Sequence, residues 1–398
     1  MTNMLRRTWA EIYLGRLECN ARRIRQMLEP GCRMMGIVKA DAYGHGAVPV
    51  ARTLSRAGVS WFGVSNLEEA IQLRRGGLTQ PILVISYTPP TEAARLARYQ
   101  VTQTVLSLEY ARELNQAAVA AKVQIPVHMK IDTGMSRVGF VCHEEGDLAE
   151  ATRQVVEACR LPALRAEGIF THFSSADEED DGGFTRRQFE LFMAVIDRAG
   201  QQGVRFALRH CCNSAATLRY PEMHLDMVRP GIILYGLAPD RWMTEQLSAF
   251  EPVMELKCAV SMVKDLPAGA CLGYNRTYTT ADRVRVATVP VGYADGYARC
   301  LSNRARMLVK GQDARIIGRV CMDQCMLDVT GIPEIGEGTV VTLFGRDGEA
   351  YLPVDELAAQ IGTVNYEVIC LLSKRVLRRY IDEKNGPVGQ LNYIVPED

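Results

Sequence analysis

Short apolar runs alternate with amphipathic stretches through the first 240 residues of the chain. The runs are Met34 to Lys39, Trp61 to Val64, Ile82 to Ile85, Val101 to Leu106, Ile125 to Ile131, Gly168 to His172, Val204 to His210 and Ile232 to Tyr235. Between them lie segments with helical spacing, such as Leu67 to Arg75, Leu108 to Lys122, Ala149 to Arg160 and Thr185 to Gly203. Eight strands alternating with helices predict a (β/α)8 TIM-like barrel. An open doubly wound sheet is the competing architecture, but no G-x-G-x-x-G follows the first strand. From about Glu251 the pattern changes. Val284 to Val289, Arg315 to Val320 and Thr339 to Leu343 read as strands, separated by Gly- and Pro-rich turns. The fold class expected is therefore α/β: a barrel over 1–242, a mostly β domain over 243–385, and a loose tail over 386–398.

Composition narrows the picture. The chain has 398 residues, 47% of them hydrophobic, enough for two cores. Its 46 basic and 46 acidic residues cancel, with no basic block, so neither nucleic acid nor a membrane surface is an expected partner. No segment approaches the roughly 20 apolar residues of a membrane span. Met1 to Trp9 lacks the apolar core of a signal peptide, so the expected location is cytoplasmic. The twelve cysteines are scattered, without C-x-x-C, and read as reduced, mostly buried hydrophobes. A zinc site at His210, Cys211 and Cys212 has the wrong spacing for tetrahedral ligation, and no metal is expected.

Candidate chemistry collects at predicted strand ends, where barrels of this kind carry their sites. Lys39 closes the first run and precedes a small-residue turn, Ala40 to Gly46. An amine at a sheet rim can be desolvated, which lowers its pKa and suits Schiff-base and proton-transfer chemistry. Arg137 follows the fifth strand, His172 ends the sixth and Ser214 follows the seventh. Arg229, Gly231 and Ile232 lie beside the eighth, where barrels bind phosphate. A lysine nucleophile, an anion cradle and strand-end arginines together point to pyridoxal 5'-phosphate. Taken singly, each residue has an ordinary reading. Lys39 reads as a solvated strand-end lysine, His172 as a core histidine and Arg137 as the ion-pair partner of Asp132. Ser214 reads as a helix N-cap, Tyr274 as a rim aromatic and Met322 as core.

The stretch Lys39-Ala40-Asp41-Ala42-Tyr43-Gly44-His45-Gly46 resembles the cofactor-attachment motif of the alanine racemases. His128 to Gly139, Gly168 to His172, Asn213 to Ala216, Val228 to Gly236, Gly318 to Gln324 and Asn365 to Glu367 resemble further signatures of that family, in the same order. The resemblance runs from about Thr8 to Tyr380 and implies a barrel followed by a β domain. It also implies an alanine racemase dependent on pyridoxal phosphate, supplying D-alanine for peptidoglycan. Lys39 would carry the cofactor as an imine and act as one acid/base, and Tyr274 as the other. His172 and Arg229 would support Tyr274, with Arg229 facing the pyridine nitrogen as a donor that cannot protonate it. Tyr43, Ser214, Gly231, Ile232 and Tyr366 would bind the phosphate. Arg137, Met322 and Asp323 would meet the small amino-acid substrate, and Tyr293 its entrance. Lys130 would be carbamylated and orient Arg137. A head-to-tail homodimer would bring Tyr274, Met322 and Asp323 into the neighbour's site.

Two positions depart from the family pattern. Cys211-Cys212 stands where small or apolar residues are usual, and Asn275 where glycine is usual. Asparagine tolerates left-handed backbone, so the Tyr274 turn is expected to survive. Three rival functions remain open. A racemase of the same fold could prefer serine. A fold-related decarboxylase would need an acid at the pyridine nitrogen, where this chain offers Arg229. A non-enzymatic cofactor carrier would not need the β domain.

Overall fold

A computed structural model describes residues 7–383 and 386–394. The chain divides into two compact units. One comprises 17–42 and 47–251; the other comprises 1–16, 43–46 and 252–398.

The first unit is the barrel. Its strands are β2 (Arg33–Ile37), β3 (Trp61–Val64), β4 (Ile82–Val84), β5 (Val101–Val105), β6 (Ile125–Asp132), β8 (Leu164–Phe170), β9 (Leu208–His210) and β10 (Met227–Val228). They run in the order β10-β2-β3-β4-β5-β6-β8-β9, every neighbour parallel, with the short β7 (Phe140–Val141) beside β6. The seam between β9 and β10 closes by the Asp226 N–H to the Arg209 carbonyl at 3.1 Å. The Asp226 carboxylate adds the Arg209 N–H at 2.8 Å and its Nε at 2.7 Å. The strands are short and almost wholly buried, as parallel strands under helices must be. The helix Leu67–Arg75 shows why the surrounding helices form. Asn66 caps it by accepting the Glu69 N–H at 2.9 Å, acidic residues occupy its first turn and arginines its last.

The eighth strand is not where the sequence suggests. Ile232–Tyr235 is a turn of 3₁₀ helix, and Met227–Val228 is the strand. All four residues of the turn are buried, and a short apolar run buried on every side carries no periodicity to separate strand from helix.

The second unit is a twisted sheet in the order β12-β15-β18-β17-β16-β19-β11-β1-β21-β22, with β20 on β19. Its strands are β1 (Thr8–Tyr13), β11 (Met254–Ala259), β12 (Met262–Leu266), β15 (Val284–Val289), β16 (Arg306–Val309), β17 (Gln312–Ile316), β18 (Cys325–Asp328), β19 (Val340–Asp347), β20 (Ala350–Leu352), β21 (Leu377–Asp382) and β22 (Gly386–Leu391). A hairpin of β13 (Cys271–Leu272) and β14 (Tyr278–Thr279) stands apart from it. Three sequence boundaries are corrected here. Thr8–Tyr13 pairs with β11 and β21, so this segment belongs to this sheet and not to the barrel. The segment 43–46 joins it too. Arg378 Nε donates to the Gly44 carbonyl at 2.9 Å, and the Tyr380 hydroxyl donates to the His45 carbonyl at 3.1 Å. Gly386–Leu391, expected as tail, pairs antiparallel with β21. The strand's partner lies in the fold, and its Gly-Pro composition gives no strand signal of its own. The rest of the expected tail, 395–398, lies outside the described residues.

Candidate active site

Lys39 stands just beyond β2, half-buried. The strand end is anchored by the Val38 N–H to the Gly63 carbonyl at 2.9 Å and by the Tyr235 hydroxyl to the Ile37 carbonyl at 3.0 Å. Beyond Lys39 the backbone turns left-handed. Ala40, Asp41, Ala42 and Tyr43 have φ of 51°, 54°, 54° and 53°. Left-handed backbone costs an L-residue about 1–2 kcal/mol, so four in succession persist only when surroundings over-determine them.

Arg229 is the hub of the barrel's rim. It is 4% exposed. Its Nη2 donates to the carbonyls of Thr171 at 2.8 Å and Cys211 at 2.9 Å and faces His172 Nδ1 at 3.2 Å; its Nη1 faces His210 Nδ1 at 3.0 Å. Burial lowers the guanidinium to about 10, so it stays protonated at neutral pH. A guanidinium can only donate, so both rings must accept at Nδ1. Burial first, then Arg229, holds His172 and His210 well below the ordinary histidine range. Lys130, Arg137 and Lys39 push His172 further the same way, which marks them as its electrostatic neighbours. His172 is thus neutral, and the cation of this network is Arg229.

A second tier lies beneath. His210 Nε2 sits 2.8 Å from His128 Nδ1. With Nδ1 of His210 accepting from Arg229, its Nε2 carries the proton and donates to His128. Both rings are fully buried, and burial lowers His128 to about 3. Gly168 is required here, because a Cβ would stand 2.5 Å from the His128 ring. The sequence offers His210 only as a rejected zinc ligand and His128 only as the start of a family signature, and nothing in it pairs them. Among the described residues no group of three potential ligands could hold a metal. The thiols of Cys211 and Cys212 both donate to the Met223 carbonyl, at 3.1 and 3.2 Å, and so fit the core.

Lys130 is 3% exposed and donates to the Ile131 carbonyl at 2.6 Å. Burial lowers its ammonium to about 7; Asp132 opposes this, and Arg229 and Arg137 reinforce it. Asp132 is not the partner of Arg137. Its Oδ1 accepts the N–H groups of Gly134, Met135 and Ser136 at 3.1, 2.9 and 3.0 Å, shaping the loop that ends in the exposed Arg137. Ser214 is the first residue of the helix Ser214–Arg219, whose N-cap is Asn213. The serine hydroxyl instead accepts the Gly231 N–H at 2.8 Å, which joins the loops after β9 and β10. Ile232 is buried directly after it.

In the second unit, Tyr43 and Tyr366 face each other with ring centroids 6.1 Å apart. Tyr274 is 70% exposed. It sits between Gly273 at φ 68° and Asn275 at φ 60°, so the asparagine does adopt the left-handed backbone. Tyr293 and Met322 are brought together by backbone. The Tyr293 N–H reaches the Cys321 carbonyl at 3.1 Å, and the Ala294 N–H reaches the Met322 carbonyl at 3.0 Å. Asp323 is bound by Arg375 Nη2 at 2.7 Å, beside Arg7 and the buried Asp295.

A closed parallel barrel with a strand-end amine, a buried guanidinium and a hydroxyl–amide cradle, followed by a β unit, defines a two-part barrel enzyme. Family models place it further: the N-terminal domain of alanine racemase matches residues 12–239 and the C-terminal domain residues 253–380. The alanine racemase of Desulforamulus reducens is 46% identical over 94% of this chain and 98% of its own. The crystal structure of alanine racemase from Clostridium difficile 630 is 38% identical, with a TM-score of 0.93, covering 99% of this chain and 100% of that one. That of Bartonella henselae, described with covalently bound pyridoxal phosphate, is 25% identical with a TM-score of 0.82, covering 94% of this chain and 99% of that one. The chain belongs to the alanine racemase family.

Proposed function

We propose that this enzyme interconverts L- and D-alanine with pyridoxal 5'-phosphate, by two bases, Lys39 and Tyr274. The donor set suits that cofactor. Lys39 supplies the amine at the rim. Ser214 and Gly231 form a hydroxyl–amide pair for a phosphate, with Ile232, Tyr43 and Tyr366 as its further contacts. When bound, the cofactor withdraws electron density from the substrate Cα and makes its proton acidic.

The observation that carries the reading is Arg229. Two carbonyls and two neutral histidines hold its guanidinium, which can only donate, so it would hold the pyridine nitrogen by a hydrogen bond without transferring a proton. An electron sink weakened in this way favours simple reprotonation over side reactions. A decarboxylase would need an acid there. Arg137 takes the substrate carboxylate. Lys39 holds or releases a proton on one side of Cα, and Tyr274 does so on the other. The phenol of Tyr274 needs a nearby positive charge, which Arg229 projects through His172. Lys130, carbamylated, orients Arg137. The exposure of Tyr274 and Met322 suits an active homodimer in which Tyr274, Met322 and Asp323 serve the partner's barrel, with Tyr293 at the entrance. The product would be D-alanine for peptidoglycan, made in the cytoplasm. Among the described residues no helix is long and apolar enough to cross a membrane.

The test has two readings. Borohydride should fix the cofactor on the peptide bearing Lys39, and L-alanine in heavy water should gain deuterium at Cα while losing optical rotation. L-Serine should exchange more slowly. A label on another lysine, or faster exchange with serine, contradicts the proposal.

A further inference from the structure

The left-handed turn after Lys39 is tied down by a carboxylate from the neighbouring strand–helix unit. Glu69 lies in the first turn of the helix Leu67–Arg75. Its Oε2 accepts the Ser65 N–H at 2.7 Å, and its Oε1 accepts the Ala40 N–H at 2.8 Å. Ala40 is the residue next to Lys39 and the first of the left-handed run. Two bonds local to the segment also hold the turn: the Ala42 N–H to the Val38 carbonyl, and the Ala47 N–H to Asp41 Oδ1, at 2.9 and 2.8 Å. The Glu69 bond differs from these because its acceptor is fixed to another part of the barrel. The Ser65 bond orients the Glu69 carboxylate, whereas the Asn66 cap touches only the Glu69 backbone N–H.

We propose that Glu69 is a positioning residue for Lys39. By holding the Ala40 N–H it keeps the Lys39–Ala40 peptide in the orientation that left-handed backbone demands, and so fixes the direction in which the lysine stem leaves the rim. Strained backbone persists where surrounding contacts over-determine it, and such strain clusters at active sites. If the carboxylate is lost, the run can relax toward ordinary backbone. Rotating that peptide swings the lysine's Cβ, and a four-carbon stem amplifies the error at Nζ. Only an acceptor with two oxygens suits both N–H groups. A glutamine offers one oxygen and turns its own N–H₂ toward the second donor. The inference rests on the proposed function only in giving Lys39 its chemistry.

The test compares Glu69→Ala, Glu69→Gln and the control Asn66→Ala, which removes the N-cap of the same helix without touching Ala40. Hydrogen exchange of the Ala40 amide, read by fragment-resolved mass spectrometry, reports the tie. The kcat and KM of cofactor-loaded enzyme for L-alanine report the aim of Lys39. Glu69→Ala should speed Ala40 exchange about tenfold or more, the scale of one lost charge-assisted bond. It should lower kcat about 100-fold with KM changed less than about threefold, the scale of a 1 Å misplacement. Glu69→Gln should fall between it and wild type, and Asn66→Ala should change neither quantity more than twofold. If Glu69→Ala does not fold, Glu69→Gln, of equal volume, carries the same two measurements. Unchanged exchange, or faster exchange with kcat within twofold of wild type, overturns the proposal. A borohydride label away from Lys39 in wild type overturns the proposed function instead, while the Ala40 exchange still decides whether Glu69 holds the turn.

Discussion

Burial brings the Lys130 ammonium down to about 7. A free lysine, with a pKa near 10.4, is neutral to about one part in 2,500 at pH 7. Lys130, lowered to about 7 chiefly by burial, is neutral in about half of molecules at that pH. Carbon dioxide attacks only the neutral amine. A N–C bond forms, the nitrogen releases a proton to solvent and a carbamate anion remains. The buried site therefore raises the reactive form about 10³-fold at pH 7. Linkage gives the sign for stability. The folded pKa lies below the unfolded one, so unmodified Lys130 destabilises the fold fully below about pH 7, and the penalty fades as pH rises toward about 10.4. At about 1.4 kcal/mol per unit, the penalty is on the order of 4 kcal/mol at neutral pH. Carbamylation removes it by replacing a desolvated cation with an anion beside Arg137 and Arg229. Enzyme stripped of carbon dioxide should lose racemase rate and melt lower. At pH 8, ¹³C-bicarbonate should restore both and give a carbamate signal. At pH 5.5 and equal dissolved carbon dioxide, only about 3% of the amine is neutral and restoration should largely fail. Lys130→Met should melt above stripped wild type and ignore bicarbonate, yet racemise slowly because Arg137 has lost its orienting anion. A free ε-amine in bicarbonate-equilibrated enzyme at pH 8, or equal restoration at both pH values, refutes the reasoning.

Three further outcomes are expected. Tyr274→Phe should lose about 10²–10⁴-fold in racemisation, the usual worth of a positioned acid/base, and keep its visible cofactor absorbance; a near-normal rate would remove Tyr274 from the mechanism. Gly168→Ala would set a Cβ 2.5 Å from the His128 ring and drive it off His210, costing about 1–3 kcal/mol in urea unfolding. An unchanged unfolding midpoint would show that the ring can yield. Lys39→Ala and Tyr274→Phe subunits, each inactive, should regain activity when exchanged into mixed dimers, since one of two shared sites would be whole. Verified mixed dimers without activity would exclude sharing between subunits.

Some of this molecule could be read from the chain alone. Trp61–Val64, Leu67–Arg75 and Val284–Val289 match their sequence readings residue for residue: the helix is periodic and capped, and the strands are short apolar runs set between turn residues. The placement of Lys39, His172, Ser214 and Arg229 beside strand ends was legible, and in a barrel the strand ends are where a site is expected. The proposed pairing of Lys39 with Tyr274 rests on family resemblance alone, since no pattern links positions so far apart. The remaining features share one physical property. Thr8–Tyr13 is an ordinary apolar strand whose neighbours, β11 and β21, lie far along the chain. His128 meets His210 across 82 residues, and Glu69 meets Ala40 across 29. Periodicity states which face of an element is buried. It does not state which backbone lies opposite, because that depends on strand order and register, which arise when the sheet closes. The left-handed turn shows the limit most sharply. Ala40, Asp41 and Ala42 carry no glycine to signal positive φ, and Ala is ordinarily a helix former. Their conformation is held by contacts, the Glu69 acceptor on Ala40 among them, so intrinsic propensity misjudges this turn where the fold has a use for the strain.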